Sequence, residues 1–284
     1  EKGNSTPQKQ TNSKNVIIEM NEAEAPLDLK WLIQEAIEHN PEIIAAQKRL
    51  NAAKAKISQA KSLDDPFIRA GSYDMSNNPV NVNGQTEMLQ QRYGVSQKIP
   101  FPGKLRLRGE IATEEANAVE KELLSKVQEI TALVKSAFYE LHYINRAIDI
   151  TEENRDLLRK FAKIAETKYS VGKATQRDAL AAQVELSTLA NNLIVLNKER
   201  ESIIAWLNIL LDRPTQIPLG KPRPFEKHTL RLTLKELEDI AIKNRPELKK
   251  FDHAIKRSEA NVKLSKKDYY YTDLEPMVEY MQED

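Results

Sequence analysis

Cysteine is absent from the 284 residues. That removes disulfide frameworks, thiolate metal sites and cysteine nucleophiles. Glycine occurs only eight times, so few tight turns are available. Aromatic residues make up 6% and charged residues 30%, a balance that suits long solvated helices better than a globule around a wide aromatic core. Charge of one sign is also missing. The formal net charge is +1, which gives no general pull toward nucleic acid or anionic lipid. No apolar run approaches the roughly 20 residues of a spanning helix. A membrane role would therefore fall to β-strands, whose pattern is weak in sequence. The first residue is Glu1 rather than Met, and a cleaved leader is expected although none is visible.

Chemistry is scarce as well. There is no Gly-rich phosphate loop and no nucleophile arrangement, and the carboxylates fall at helix-surface spacing. No catalytic residue and no cofactor is expected. His39, His142, His228 and His253 show no ligand spacing and the methionines are scattered, so no metal site is expected either.

What is present is a series of clear segments. Residues 1–26 are polar and read as a flexible tether. A helix is expected over about Leu29–His39, stopped by Asn40-Pro41, because a residue before proline avoids the helical region. A second runs from Pro41 to about Lys61, with proline suited to the first turn. Asp64-Asp65-Pro66 ends it. Two strands follow, about Phe67–Asp74 and Glu87–Ile99, in a hairpin over 67–99. In the second, Leu89, Tyr93, Val95 and Ile99 share one face and Arg92, Ser96 and Lys98 the other. Arg92, Ser96 and Lys98 are candidates to line a lumen; plain solvent exposure of Arg92 and Lys98 is the alternative. Met75–Thr86, with Asn83-Gly84, reads as the loop between the strands.

Ile99-Pro100-Phe101-Pro102-Gly103 breaks the second strand. From Lys104 to Val171 only Gly109 interrupts a helical pattern, and Gly109 is a candidate kink. The stripe Val127, Ile130, Val134, Ala137, Leu141, Ile144, Ile148 alternates steps of three and four, a coiled-coil seam. About 67 residues at 1.5 Å each span roughly 100 Å. Gly172 supplies a left-handed helix cap. Thr175 with Asp178 reads as a capping box in which Asp replaces the usual Glu or Gln. The returning helix repeats the seam at Leu186, Leu189, Leu193, Leu196, Arg200, Ile203, Leu207 and Leu210. A proline-rich connector, 212–231, follows, with Pro214, Pro218, Pro222 and Pro224.

The beginning then recurs. LDLKWLIQEAIEHNPEI from Leu27 matches LTLKELEDIAIKNRPEL from Leu232 at an offset of 205, helix-breaking proline included. Residues 27–211 form a first repeat and 232–284 the start of a second, with a helix ending near Lys267 and a strand over about Leu274–Gln282. A complete second unit would end near residue 416, so roughly 130 residues are expected to be missing. The last strand is expected to have no partner within the chain, leaving an open sheet edge. Tyr269-Tyr270-Tyr271 reads either as an interfacial aromatic girdle or as packing at a helix-to-strand corner.

The duplicated L-x-L opening with Asn-Pro-Glu-Ile, the strand end Tyr93-Gly94-Val95-Ser96-Gln97-Lys98-Ile99-Pro100, and the tip Tyr169…Val171-Gly172-Lys173-Ala174-Thr175…Asp178 together resemble the outer membrane efflux protein family, the TolC type, over about Leu27–Asp284. The resemblance implies a mainly α fold with a minor β part. It would comprise a long helical coiled-coil hairpin plus strands of a trimeric outer-membrane β-barrel, with an incomplete second repeat. It implies a passive export duct for small molecules or ions, a homotrimer in the outer membrane with a periplasmic extension. Its partners would be outer-membrane lipid, a periplasmic adaptor (membrane-fusion) protein and an inner-membrane pump. It assigns Tyr169, Val171, Gly172, Lys173, Ala174, Thr175 and Asp178 to adaptor docking. Lys173 stands where the family usually has Leu. The family's gate lies mainly on the second hairpin, so no gate residue is carried over. The competing reading is a soluble coiled-coil scaffold, which needs neither the strands nor the repeat.

Overall fold

The computed structural model describes residues 26–74, 89–223, 229 and 231–283. The expected tether up to residue 25, the loop Met75–Thr86, Pro224 and His228 lie outside the described residues. The elements in chain order are helices α1 (Leu29–His39) and α2 (Pro41–Lys61), strands β1 (Phe67–Asp74) and β2 (Leu89–Ser96), helices α3 (Lys104–Ser170), α4 (Gln176–Leu210), α5 (Leu234–Asn244) and α6 (Pro246–Tyr270), and strand β3 (Met277–Glu283). They divide into two compact units, one from the described parts of Glu1–Ala45 with Lys126–Leu234, the other from Ala46–Ser125 with Lys235–Asp284.

In the first unit, Asn40 explains why α1 and α2 are separate helices. Its N–H closes α1 on Ala36 O at 3.0 Å. Its Oδ1 accepts from the N–H groups of Glu42 (3.0 Å) and Ile43 (3.4 Å), satisfying donors that the first turn of α2 leaves free. Its Nδ2 donates to Leu210 O at 2.9 Å, which ties the joint to the end of α4. Leu32 and Ala36 of α1 are fully buried. The connector is held the same way: Asn208 Nδ2 donates to Ile217 O (2.8 Å), and Leu27 N–H donates to Lys221 O (2.9 Å).

The predicted seams are the buried stripes. On α3, Ile130, Val134, Ala137, Leu141, Ile144 and Ile148 are buried and Val127 half-buried. On α4, Leu193, Leu207 and Leu210 are buried and Leu186, Leu189, Leu196, Arg200 and Ile203 half-buried. Ile144, Ile148 and Leu193 form one cluster with Leu196 and Ile203 packed on it. Full burial of each such side chain contributes about 1.5–3 kcal/mol. One 18-residue window of α4, mean hydropathy 1.3, has by length and composition alone the character of a spanning helix. This differs from the expectation that no apolar run approaches that length. The excess apolarity lies outside the seam, at exposed positions such as Val184, Ile194 and Val195.

In the second unit, α3 runs unbroken through Gly109, the candidate kink. A Cβ there would lie 2.6 Å from the Lys61 side chain, so the glycine makes room for the end of α2. Helix α6 runs antiparallel to α3 along a row of polar pairs. Ser125 Oγ donates to Glu247 (2.7 Å), Lys250 to Glu122 (2.7 Å), and Arg257 to Glu115; His253 Nδ1 lies 2.7 Å from Glu114. Helix α6 continues to Tyr270, three residues past its expected end.

The sheet has the order β1-β2-β3, antiparallel throughout. This corrects the expectation that the last strand is unpartnered. β3 adds to the free edge of β2, with Tyr93 opposite Tyr280 and Val95 opposite Val278. Strand β2 ends at Ser96 rather than Ile99. Beyond the strand, Gln97 N–H still donates to Pro276 O (3.2 Å), and Ile99 pairs with Leu274 as an isolated bridge.

Candidate functional sites

The hairpin tip is set by backbone hydrogen bonding. At the end of α3, Gly172 N–H donates to Tyr169 O (2.9 Å) and Lys173 N–H to Lys168 O (2.7 Å). This is the paired closure of a helix that ends in a left-handed residue, and Gly172 has φ +70°. Thr175 then caps α4. Its Oγ1 accepts the Asp178 N–H (3.3 Å), and Asp178 Oδ2 accepts the Thr175 N–H (3.1 Å) and hydroxyl (2.7 Å). The predicted capping box is therefore present, with Asp in the Glu position. The Thr175 hydroxyl, then its N–H, hold the Asp178 carboxyl below the usual range. Val171 is 61% exposed, Tyr169, Lys173 and Gly172 are also exposed, and Ala174 is half-buried. No atom lies within 4 Å of a Cβ built on Gly172. The tip thus offers an apolar residue, an open backbone and a lysine in succession.

The sheet presents two unlike faces. Period-two alternation and the strand register place Ile68, Val95 and Val278 in one cross-strand row and Ala70, Tyr93 and Tyr280 in the next. All six are exposed, Ile68 and Val278 at nearly 80%. The Ile99–Leu274 bridge, both residues exposed, extends this face. The opposite face carries Arg69, Arg92, Ser96 and Glu279 together with Phe67, Met277 and Met281, and these last three are exposed as well. Ser96 is buried, and its Oγ donates to Glu275 at 3.2 Å; Arg92 is half-buried. The lumen candidates Arg92 and Ser96 therefore lie behind the apolar face, with half-buried Lys98 just beyond the strand. One exposed face is thus apolar over two successive cross-strand rows, where a water-soluble sheet would bury it, while the other mixes charged and apolar side chains.

The sequence reading missed a charged clasp where strands meet helices. Lys104 Nζ, almost fully covered, donates to Asp273 Oδ1 (2.7 Å) and Tyr271 O (2.7 Å) and lies 2.9 Å from Asp268. Asp273 also accepts the Phe101 N–H (3.1 Å) and lies 3.5 Å from Lys98. Hydrogen bonding from Lys104, then the Phe101 N–H, lowers the Asp273 pKa to about 2; the same contact raises that of Lys104. Phe101 stacks on Tyr271 with centroids 4.2 Å apart. All three tyrosines of the triplet are exposed, but only Tyr271, at 45%, stacks in the corner, while Tyr269 is 83% and Tyr270 72% exposed. Only the proline-glycine break hinted at this junction, since the groups that close it are some 170 residues apart.

The described residues thus combine a long antiparallel helical hairpin with a small antiparallel sheet. The family model described as outer membrane efflux protein matches residues 32–209, and the chain belongs to that family. Among solved structures, the outer-membrane channel OprN is similar at TM-score 0.71 and 16% identity, over 89% of this chain and 63% of that one. The outer membrane protein VceC of Vibrio cholerae is similar at 0.70 and 16%, over 89% and 67%. CusC, whose structures concern folding and transmembrane channel formation, is similar at 0.72 and 14%, over 93% and 67%. At these identities the likeness is one of fold. The chain spans about two thirds of the length of these structures, and only 63% of OprN. No curated protein matches it in sequence.

Proposed function

We propose that the chain forms part of the wall of an outer-membrane efflux duct, the passive channel component of a tripartite export system for small molecules or ions. Three copies form the channel. The sheet contributes to a transmembrane β-barrel, with Ile68, Val95, Val278, Tyr93 and Tyr280 toward lipid and Arg92, Ser96 and Lys98 toward the lumen. The helical hairpin extends into the periplasm. Its tip, Tyr169 to Asp178, meets a periplasmic adaptor that is coupled to an inner-membrane pump. The observation that carries this reading is the exposed apolar sheet face, because a bilayer is the solvent in which such a face is stable. A soluble scaffold has no use for it.

The test uses the absence of cysteine. A single Cys in place of Val171 is the only thiol in the chain and crosslinks to an adaptor co-expressed in a two-membrane envelope. The protein is expected in detergent extracts of the outer membrane as a trimer, with adaptor attached through that thiol. Bulk at Gly172 or charge reversal at Lys173 is expected to weaken the crosslink and leave helix content unchanged. Recovery as a monomer in the soluble periplasmic fraction, without a crosslink, would overturn the reading in favour of the scaffold.

A further inference from the structure

The whole chain carries a net charge of +1, but the hairpin end does not share that balance. Residues 157–184, bounded by Asp156 and Glu185, hold six basic side chains, Arg159, Lys160, Lys163, Lys168, Lys173 and Arg177, against two acidic ones, Glu166 and Asp178. Asp178 is engaged by its own cap, and Arg159 pairs with Asp156 at 3.3 Å. The remaining five cations are exposed. Among the described residues, none of the five has a carboxylate within 4.0 Å. Lys160, Lys163, Ile164, Thr167 and Lys168 line a shallow depression of about 360 Å³. Phe161, Ile164 and Val171 are each more than half exposed beside them.

We propose that this tip is built for an acidic partner: a helical hairpin whose end presents Asp or Glu carboxylates around a small apolar centre. The inference rests on the adaptor-docking reading of the same tip and names the chemistry of the partner. Two features favour a protein over an anionic membrane. A helix lying on lipid segregates its cations from its apolar side chains, whereas here three lysines line the same depression as Ile164. The turn is also locked by paired caps at both helix ends, which presents a fixed surface of the kind a second helix end fits. Lys173 then has a role of its own, placing an ammonium immediately past the open Gly172 backbone. Charges at a contact rim act mainly on association rate and on salt dependence. Their reach is about 8 Å at physiological ionic strength.

The test titrates the full chain with one designed two-helix hairpin made in three versions, ending in Asp/Glu, Asn/Gln or Lys/Arg, and with phosphatidylglycerol vesicles. The acidic version is expected to bind at least about tenfold more tightly than the others, and to lose about tenfold between low and moderately high salt. The fourfold variant K160Q/K163Q/K168Q/K173Q should lose the preference and the corresponding Glu variant should invert it. Helix content, followed by circular dichroism, should be unchanged because Lys, Gln and Glu have similar helix propensity. Equal binding of all three versions, or binding indifferent to salt, overturns the proposal. Binding to the vesicles but not to the acidic hairpin also overturns it, and assigns the surface to lipid. An adaptor that crosslinks at position 171 with undiminished affinity in the Glu variant sinks the acidic-partner inference and leaves docking intact. Absence of any adaptor crosslink in the parent chain counts against the functional reading, while the hairpin titration still decides the charge preference.

Discussion

Gly172 and Asp212 close the two arms of the hairpin in the same way. Each has positive φ, +70° and +56°, and each is followed by an N–H that reaches back five residues, Lys173 to Lys168 O and Arg213 to Asn208 O. A left-handed residue costs an L side chain about 1–2 kcal/mol, less for Asp, whose short polar side chain adapts locally. Gly172→Ala is therefore expected to destabilise the hairpin by about 1 kcal/mol although nothing obstructs the new methyl group. Asp212→Gly is expected to stabilise by a smaller amount, on the order of 0.5 kcal/mol. Urea unfolding of the two variants checks both signs. Asp273 carries a pH signature. Its pKa is lowered from 3.8 to about 2 in the fold, so its contribution is fully present above pH 3.8 and lost as pH falls through about 2. Asp273→Asn should flatten the acid limb of the stability profile in that window and leave its shape above pH 5 unchanged.

At the scale of elements, the helical hairpin was legible because its signals are local. Steps of three and four picked out Ile130 to Ile148 and Leu186 to Leu210, and the structure covers those positions. Ile144→Ala should cost about 2–5 kcal/mol by cavity formation. Its neighbour Tyr143, 69% exposed, should change stability by no more than about 0.5 kcal/mol when replaced by Ala. Thermal unfolding of the pair reads out the seam directly. The cap at Thr175–Asp178 was legible for the same reason, its partners being three residues apart. The pairing of β1 with β2 was legible as a hairpin, but the pairing of β3 was not. The alternation of β2 shows which side chains share a face but not which segment takes its second edge. That choice is made by the match of Val95 with Val278 and Tyr93 with Tyr280, far apart in sequence. The clasp of Lys104 on Asp273 is hidden likewise, since neither residue is unusual in its own neighbourhood. The local polarity pattern did separate the lumen candidates Arg92 and Ser96 from the apolar face; the register adds Ile68, Val278 and Tyr280 to that face.

At the scale of the whole molecule, the internal repeat places equivalent side chains in unlike surroundings. With the offset of 205, Leu248, Phe251 and Ile255 of α6 correspond to Ile43, Ala46 and Leu50 of α2. The α2 residues are all less than 9% exposed, whereas Phe251 is 65% exposed and Ile255 58%. Val262, one heptad beyond Ile255, continues the same stripe and is also exposed. Among the described residues, this helical stripe and the apolar sheet face are therefore separate apolar surfaces, and they should respond to different solvents. Detergent covers a broad flat sheet face, but a heptad stripe is best covered by another helix. In detergent, the purified chain is therefore expected to retain concentration-dependent association through α6. Phe251→Glu with Ile255→Glu should abolish that association in sedimentation velocity. Because both positions are exposed, the cost in stability should stay near 0.5 kcal/mol each. Val278→Lys should leave association in detergent intact but weaken insertion into lipid, by up to about 2–4 kcal/mol if the site lies near the bilayer midplane. If the double Glu variant associates as strongly as the parent, the α6 stripe is not the contact. If Val278→Lys inserts as well as the parent, the apolar sheet face does not meet the hydrocarbon core.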